Sequence, residues 1–368
     1  MERLIRPYIH FSEVEAELRD IFDSGIFTKG KYVEQFRESI RTYTGAKYSF
    51  LTTSATTALW VSLKAIGIHA GDEVIVSDFS FPASANVIED LGAVPVFADV
   101  NLDTFNMLPE ELERKITQRT KAVMFVDALG NPSGLLAIRD ICRKHGLVLI
   151  EDAACAFGSS IEGVPCGKIA DITCFSFHPR KLLTTGEGGA ITTDNPEYAR
   201  FFDVKLNHGA VFENGIFDFV DYGYNFRLSE IQAALGVKQV AKIDAIIASR
   251  SQIRGSYVDR LSKTGFKPQA FDHNVRHNIQ SVVFLVPSDF SRNDLMLHLR
   301  QKSIESTLGT YCLSGTSYYK NKYMRLQANA HYLQNNTITL PCYDQVNIAN
   351  VCSAIDGYAA VRRSGSER

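Results

Sequence analysis

The 368-residue sequence has no run of apolar residues long enough to form a transmembrane helix. Its longest apolar runs, such as residues 122–126, are far shorter than the roughly 18 residues that cross a bilayer. Residues 1–7 also contain no apolar core of the kind that a signal peptide has. We therefore expect a protein without a membrane partner.

The sequence also lacks an excess of charge of either sign. Its 39 Lys and Arg residues nearly balance its 41 Asp and Glu residues, and the formal net charge is -2. Such a balance gives no general attraction to nucleic acid or to anionic lipid. No basic helix-turn-helix extension is present to read DNA. We expect small molecules, and not nucleic acid, as its partners.

Closely spaced cysteine pairs are missing as well. The seven cysteines are odd in number and form no C-x-x-C motif. This pattern argues against a disulfide framework and against a zinc site. We expect reduced thiols, no metal and a cytoplasmic location.

What the sequence does contain, between about residues 45 and 200, is an alternation of short apolar runs with helical patterns, typical of a sheet with crossover helices. The runs are continuous, which favours strands covered on both faces. A long helix is predicted to begin near Ser229, because Ser229 and Gln232 match a capping box and apolar periodicity continues to Ile246. The predicted strands are 74–76, 95–97, 122–126, 147–150 and 172–175, and a further helix is predicted over 135–144.

The pattern of apolar and polar residues changes beyond about residue 250. Residues 280–287 are strand-like, residues 294–301 are helix-like, and residues 337–341 form another apolar run. We predict an α/β protein with a mostly parallel central sheet flanked by helices in residues 1–248. A smaller C-terminal α+β domain is predicted over residues 249–368.

Lys181 is the first candidate for chemistry. It follows a predicted strand and precedes Thr184–Gly189, a glycine-rich turn that lets backbone approach a ligand closely. A lysine that forms a Schiff base must lose its proton, which burial at the end of a strand promotes. Lone lysines are mostly solvated, so this motif needs support from other residues.

Further candidates lie near other predicted strand ends. Asp152 follows the strand 147–150, where carboxylates face the ligand crevice of a parallel sheet, although capping the next helix would explain it equally well. Ser54–Thr57 opens a helical pattern, and such an N-terminus can hold a phosphate or can simply be capped. Phe81 could cover a flat ring, and Asn225 lies among aromatic residues in a predicted loop.

Taken together and in this order, the motifs resemble the DegT/DnrJ/EryC1/StrS sugar aminotransferases, a branch of the fold-type-I enzymes that use pyridoxal-5′-phosphate (PLP). The resemblance extends from about Phe22 to the C-terminus, and it is looser in the last third. It rests on Gly30–Phe36, Gly71–Val76, Glu151–Ala154, Lys181–Gly189 and Gly223–Arg227.

The resemblance implies a role for each matching residue. Lys181 would form the internal aldimine with PLP and move the proton, and Asp152 would hold the pyridine nitrogen. Asn225 would reach the phosphate in the neighbouring subunit's site, which implies a homodimer with two shared sites. The remaining cofactor-binding residues would be Phe81 on the ring, Cys155 near the phenolic oxygen, and Thr56, the Ala55 amide and Ser176 on the phosphate.

The sequence departs from the family at three positions. Ala55 stands where glycine is common, which matters if the site needs a positive φ. Cys155 replaces a glutamine and is a weaker hydrogen-bond partner. Phe157 stands where many relatives have histidine. None of the three departures removes the lysine, and some members of the family that lack it are dehydratases.

The resemblance therefore implies transamination from an amino acid, L-glutamate in the family, to a keto-sugar such as a nucleotide-linked 4-keto-6-deoxyhexose. A PLP-dependent sugar dehydratase and a PLP-binding regulator without turnover are the alternatives. A further alternative is an α/β binding protein in which each of the site motifs has a purely structural role. The sequence leaves open the sugar, the nucleotide and the choice between C3 and C4 amination.

Overall fold

The computed structural model describes residues 1–366, with side chains for residues 1–360. Its α-helices are α1 (Phe11–Ser24), α2 (Lys31–Thr44), α3 (Ala55–Ala65), α4 (Ala83–Asp90), α5 (Pro109–Lys115), α6 (Leu135–His145), α7 (Pro196–Lys205), α8 (Glu230–Val240), α9 (Ile243–Leu261), α10 (Arg292–Gln301), α11 (Ser317–Tyr323), α12 (Ala328–Asn336) and α13 (Ile348–Ser366).

The strands form one large sheet and several small ones. They are β1 (Tyr48–Thr52), β2 (Glu73–Ser77), β3 (Phe79–Ser80), β4 (Val94–Ala98), β5 (Thr120–Val126), β6 (Val148–Asp152), β7 (Ser160–Ile161), β8 (Val164–Pro165), β9 (Ile172–Ser176), β10 (Gly189–Thr193), β11 (Ala210–Glu213), β12 (Ile216–Phe219), β13 (Lys267–Pro268), β14 (Val275–Arg276), β15 (Val282–Leu285), β16 (Tyr311–Cys312) and β17 (Thr337–Leu340).

The large sheet has seven strands in the order β1-β10-β9-β6-β5-β2-β4. The pairs from β9 to β4 are parallel, and β10 runs antiparallel to both of its neighbours. The predictions of a mostly parallel sheet and of its five strands are confirmed. Because parallel strands end at one edge, the segments that follow β2, β5, β6 and β9 meet there.

Both faces of the sheet are covered, as the continuous apolar runs predicted. On one face, side chains from β2, β5 and β6 pack with α3, α4 and α7. On the other face, alternate residues of the same strands pack with α5 and α6. The predicted helix 135–144 is α6, and Gly146 follows it with a φ of 65°.

The prediction of one continuous long helix from Ser229 to Ile246 is wrong. The capping box at its start is present, but the helix ends at Val240 and α9 begins at Ile243. Gly236 of α8 lies against the ring of Phe36 in α2, where a Cβ would meet that ring at 2.4 Å. Helix α8 is therefore fixed on α2, whereas α9 packs and bonds with the C-terminal region.

The C-terminal region has its own core. Strands β13, β15 and β17 form an antiparallel sheet that packs with α9, α10 and α13. The strand-like and helix-like predictions for 280–287, 294–301 and 337–341 are confirmed. The division between residues 248 and 249 stays a prediction, and it falls inside α9.

No helix within residues 1–366 is both long enough and apolar enough to cross a bilayer. The seven cysteines are free thiols, and all except Cys155 are buried.

Candidate active site

A cavity of about 620 Å³ opens where the parallel strands end. The N-terminus of α3 and the segments after β2, β5, β6 and β9 form one wall. Residues 307–311 and 339–342, from the C-terminal region, form the other wall. Ligands of open α/β sheets bind at this edge.

Seven of the eight predicted site residues line this cavity: Ala55, Thr56, Phe81, Asp152, Cys155, Ser176 and Lys181. The eighth, Asn225, is exposed outside it and forms a β-bridge with Asn207. Its predicted role in a neighbouring subunit stays a prediction.

Lys181 lies in the loop that connects β9 to β10. The base of the loop is closed by backbone bonds from the Phe177 amide to the Gly188 carbonyl and from the Thr185 amide to the Phe177 carbonyl. The ammonium nitrogen, Nζ, lies 3.0 Å from the sulfur of Cys155. Both residues line the cavity, and Lys181 is only partly exposed, so the amine faces the cavity.

Gln280 holds this loop from the C-terminal region. Its side-chain oxygen accepts from the Leu182 amide at 2.8 Å, and its side-chain nitrogen donates to the Arg180 carbonyl at 2.8 Å. Both residues that flank Lys181 are thus fixed by one side chain. The Gln280 carbonyl in turn accepts from the buried guanidinium of Arg250.

Asp152 is the last residue of β6 and is almost completely buried. Its carboxylate accepts from Ser84 Oγ at 2.6 Å and from the Ala154 amide at 3.2 Å. Burial raises the pKa of Asp152, and the Ser84 hydroxyl, the Ala154 amide and the Lys181 charge oppose that rise. A buried carboxylate with few donors suits a cationic ring nitrogen.

The N-terminus of α3 provides a seat for an anion. Ser54 caps the helix through the Thr57 amide at 3.2 Å, which leaves the amides of Ala55 and Thr56 without intrahelical partners. Gly189 lets β10 approach, since a Cβ there would lie 2.5 Å from the Ser54 carbonyl carbon. Ala55 is not among the residues with positive φ, so alanine fits this position as well as glycine would.

These features fit PLP. The first turn of α3 and the hydroxyl groups of Thr56 and Ser176 suit its phosphate. Asp152 suits its pyridine nitrogen, and Lys181 suits its aldehyde.

Two exposed aromatic rings line the cavity. Phe81 is 64% exposed, and its ring makes an edge contact with Tyr311, 6.3 Å between centroids. Both rings line the cavity. Tyr318 and Tyr319 do not line it, and their hydroxyl groups donate to Glu89 and Asn86 of α4.

Sequence reasoning missed Ser84 and Gln280. Ser84 lies in the first turn of α4, four residues after Ser80, and the two hydroxyl groups are 2.8 Å apart. Pro82 at the start of that helix was the available signal. Gln280 lies about 100 residues beyond the loop it holds, and no local pattern marks it.

Asp78 anchors the second wall of the cavity to the sheet. It follows β2 and accepts from the Ser314 amide and hydroxyl, both at 2.7 Å, and from the Cys312 thiol. Burial raises the pKa of Asp78 to about 6, although these donors oppose the rise.

The raised pKa of Asp78 predicts that the stability of the folded protein depends on pH. Between about pH 4 and 6 the folded protein holds a proton on Asp78 that the unfolded chain has lost, so stability falls as the pH rises. The free energy of unfolding of wild type minus that of Asp78→Asn should fall by about 1–3 kcal/mol from pH 4 to pH 7. Chemical denaturation at each pH measures this difference. The exposed Asp103→Asn is the control, and a flat difference for Asp78→Asn would refute the prediction.

The fold and the cavity together define a class, and comparisons with known proteins agree with it: the chain is a PLP-dependent aminotransferase of fold type I. The structure superposes on PseC of Helicobacter pylori, an aminotransferase of pseudoaminic acid biosynthesis, with a TM-score of 0.90, 26% identity and coverage of 96% of this chain and 98% of the other. It also superposes on the PLP form of Spr1654 from Streptococcus pneumoniae, with a TM-score of 0.87, 29% identity and 98% coverage of both.

The model of the DegT/DnrJ/EryC1/StrS aminotransferase family matches residues 10–356. The GDP-perosamine synthase of Vibrio cholerae is 31% identical over 353 residues, which are 93% of this chain and 95% of the relative. The chain belongs to the DegT/DnrJ/EryC1/StrS aminotransferase family, as the motifs predicted.

Proposed function

We propose that this enzyme transfers an amino group from L-glutamate to a keto-sugar, a nucleotide-linked 4-keto-6-deoxyhexose, and that Lys181 is the lysine that bonds to PLP. The observation that carries the proposal is that Lys181, Asp152 and the first turn of α3 open onto one cavity. The sugar is inferred from the similarity to a GDP-perosamine synthase and to PseC.

Each residue has a defined part in the reaction. The amides of Ala55 and Thr56 and the hydroxyl groups of Thr56 and Ser176 hold the phosphate, and Phe81 covers the ring. Asp152 keeps the pyridine nitrogen protonated. PLP, when bound, supplies the electron sink that stabilises a carbanion at the donor's α-carbon.

Lys181 moves the proton. Its amine would be the base that takes the α-proton of the amino donor and would then return that proton to the cofactor side of the bound substrate. The loop geometry favours this role, because Gln280 fixes the backbone on both sides of Lys181 while Nζ reaches Cys155 at the cavity lining. The same amine acts in the reverse direction when the keto-sugar accepts the amino group.

The experiment follows the two half-reactions separately. The PLP-loaded protein should release one equivalent of 2-oxoglutarate from L-glutamate and lose its visible absorption. A panel of keto-sugar nucleotides is then added, and the correct acceptor restores the absorption. If a sugar is converted without any amino donor, the enzyme is a dehydratase. If neither step occurs, the proposal of a sugar aminotransferase fails.

Asn225 tests the proposed homodimer. If its amide reaches the phosphate in the partner's site, Asn225→Ala removes a hydrogen bond to an anion, worth about 1.5–3 kcal/mol, and raises the dissociation constant of PLP at least about tenfold. In a dimer of one Asn225→Ala subunit and one Lys181→Ala subunit, one of the two sites contains both wild-type residues. That site should bind PLP as the wild type does. Fluorescence titration measures both effects. Unchanged affinity in Asn225→Ala, or no recovery in the mixture, contradicts the shared site.

A further inference from the structure

A buried pair of carboxyl groups, Asp127 and Glu151, lies directly beside Asp152. Glu151 precedes Asp152 in β6, so the two side chains point to opposite faces of the sheet. Asp127 follows the neighbouring strand β5, and its amide donates to the Asp152 carbonyl at 3.2 Å. Asp127 is 1% exposed and Glu151 is fully buried.

The donors around this pair are too few for two negative charges. One oxygen of Glu151, Oε2, accepts from Thr173 Oγ1 at 2.7 Å and from the Gly167 amide at 3.3 Å. Within the described residues, Glu151 Oε1 and both oxygens of Asp127 have no donor. Burial and the neighbouring Glu151 raise the pKa of Asp127 well above its ordinary value. Two ionised carboxylates cannot share a dry site without compensation.

We propose that Asp127 is a neutral carboxylic acid that donates its O–H to Glu151 Oε1, which leaves Asp152 as the carboxylate that faces the cofactor. One proton then satisfies two of the three unpartnered oxygens and gives Glu151 donors on both sides. The role of Asp152 toward PLP rests on the proposed function, whereas the protonation of Asp127 does not.

The neutral state of Asp127 matters because of the groups that surround it. Glu151, Asp152 and Cys155 act electrostatically on Asp127, Cys166 lies in the same cluster, and Lys181 is the cation that acts on Asp152. An anion at Asp127 would raise the pKa of Asp152 further. Asp152 would then bind a proton itself and could no longer hold one on the pyridine nitrogen. Asp127 is therefore a positioning residue that acts through Asp152.

A bound cation is the rival explanation for the unpartnered oxygens. Ligand atoms of Asp127, Glu151 and Cys166 lie within 4.8 Å of one another. A closed structural metal site uses four protein ligands, however, and this cluster offers three. Donors from Thr173 and Gly167 also already occupy Glu151 Oε2. These facts favour the proton, and a metal analysis decides the question.

Infrared spectroscopy of the cofactor-free protein tests the protonation directly. At neutral pH, wild type should show the carbonyl stretching band of a buried carboxylic acid, and Asp127→Asn should lack it. The exposed Asp103→Asn should keep it. Glu151→Gln should shift or remove the band, which provides the answer if Asp127→Asn does not fold. No band, a band unchanged in both variants, or one equivalent of metal in the purified protein overturns the proposal.

The dependence of PLP binding on pH tests the effect on the cofactor. Asp127→Asn keeps an N–H donor for Glu151, so its dissociation constant for PLP should stay within about threefold of wild type at pH 7. Asp127→Leu lacks the donor and should bind PLP at least about tenfold more weakly. Wild type should lose affinity at alkaline pH where Asp127→Asn does not. Parallel pH profiles overturn the coupling to Asp152. If no variant binds PLP, the proposed function fails, and the infrared result stands by itself.

Discussion

Lys181→Ala is expected to reduce transamination at least about 10⁴-fold and to remove the visible absorption band of the PLP-loaded protein. Two contributions are lost together, because in the proposed mechanism one amine both bonds to the cofactor and moves the proton. Lys181→Arg should be equally inactive, since a guanidinium keeps the positive charge but cannot form the covalent bond. Single-turnover kinetics with L-glutamate and an absorption spectrum measure the two effects.

A matched control separates the loss of the Lys181 amine from a general effect of removing a lysine. Lys168 lies in an ion pair with Asp194 outside the cavity. Lys168→Ala should keep both the absorption band and turnover. A visible band that survives in Lys181→Ala would assign the covalent bond to another lysine and would contradict our proposal.

Asp152→Asn is expected to keep PLP and to lose turnover about 10³-fold. An asparagine retains the size of the side chain and an oxygen for the Ala154 amide, so the cavity should persist. It carries no charge, however, and cannot stabilise a protonated pyridine nitrogen. The electron sink is therefore weakened in the transition state, and kcat should fall far more than cofactor affinity.

Separate measurements of PLP affinity and of kcat check this prediction. Ser84→Ala removes one donor to Asp152, which lets its pKa rise further, and it should reduce kcat by about 3–30-fold. Asp103→Asn serves again as the neutral control. Rates close to wild type in Asp152→Asn would exclude Asp152 from the proposed role.

The sequence was most informative for features that depend on residues close together in the chain. Residues 74–76 and 122–126 are short and continuously apolar, which favours strands covered on both faces. Parallel strands end at one edge, so the pattern allowed Asp152 and Lys181 to share a cleft, and the resemblance to the family then assigned them to one site. The capping box at Ser229 was equally local.

Features that depend on distant contacts could not be predicted in this way. The break between α8 and α9 contains Ala241 and Lys242, which are good helix formers, and neither glycine nor proline marks it. It follows from the packing of Gly236 on Phe36 and from the bonds that α9 makes with the C-terminal region. The role of Gln280 could not be predicted for the same reason.

The two hydrogen bonds from Gln280 to the loop that carries Lys181 have a consequence for synthesis in the cell. Ribosomes add roughly 5–20 residues per second, so Gln280 is made about 5–20 s after Arg180, which precedes it by 100 residues. During this interval the loop that carries Lys181 lacks both Gln280 hydrogen bonds, although the backbone bonds at its base can already form. We expect a chain that terminates before residue 280 to lack these two bonds permanently and to hold Lys181 less firmly.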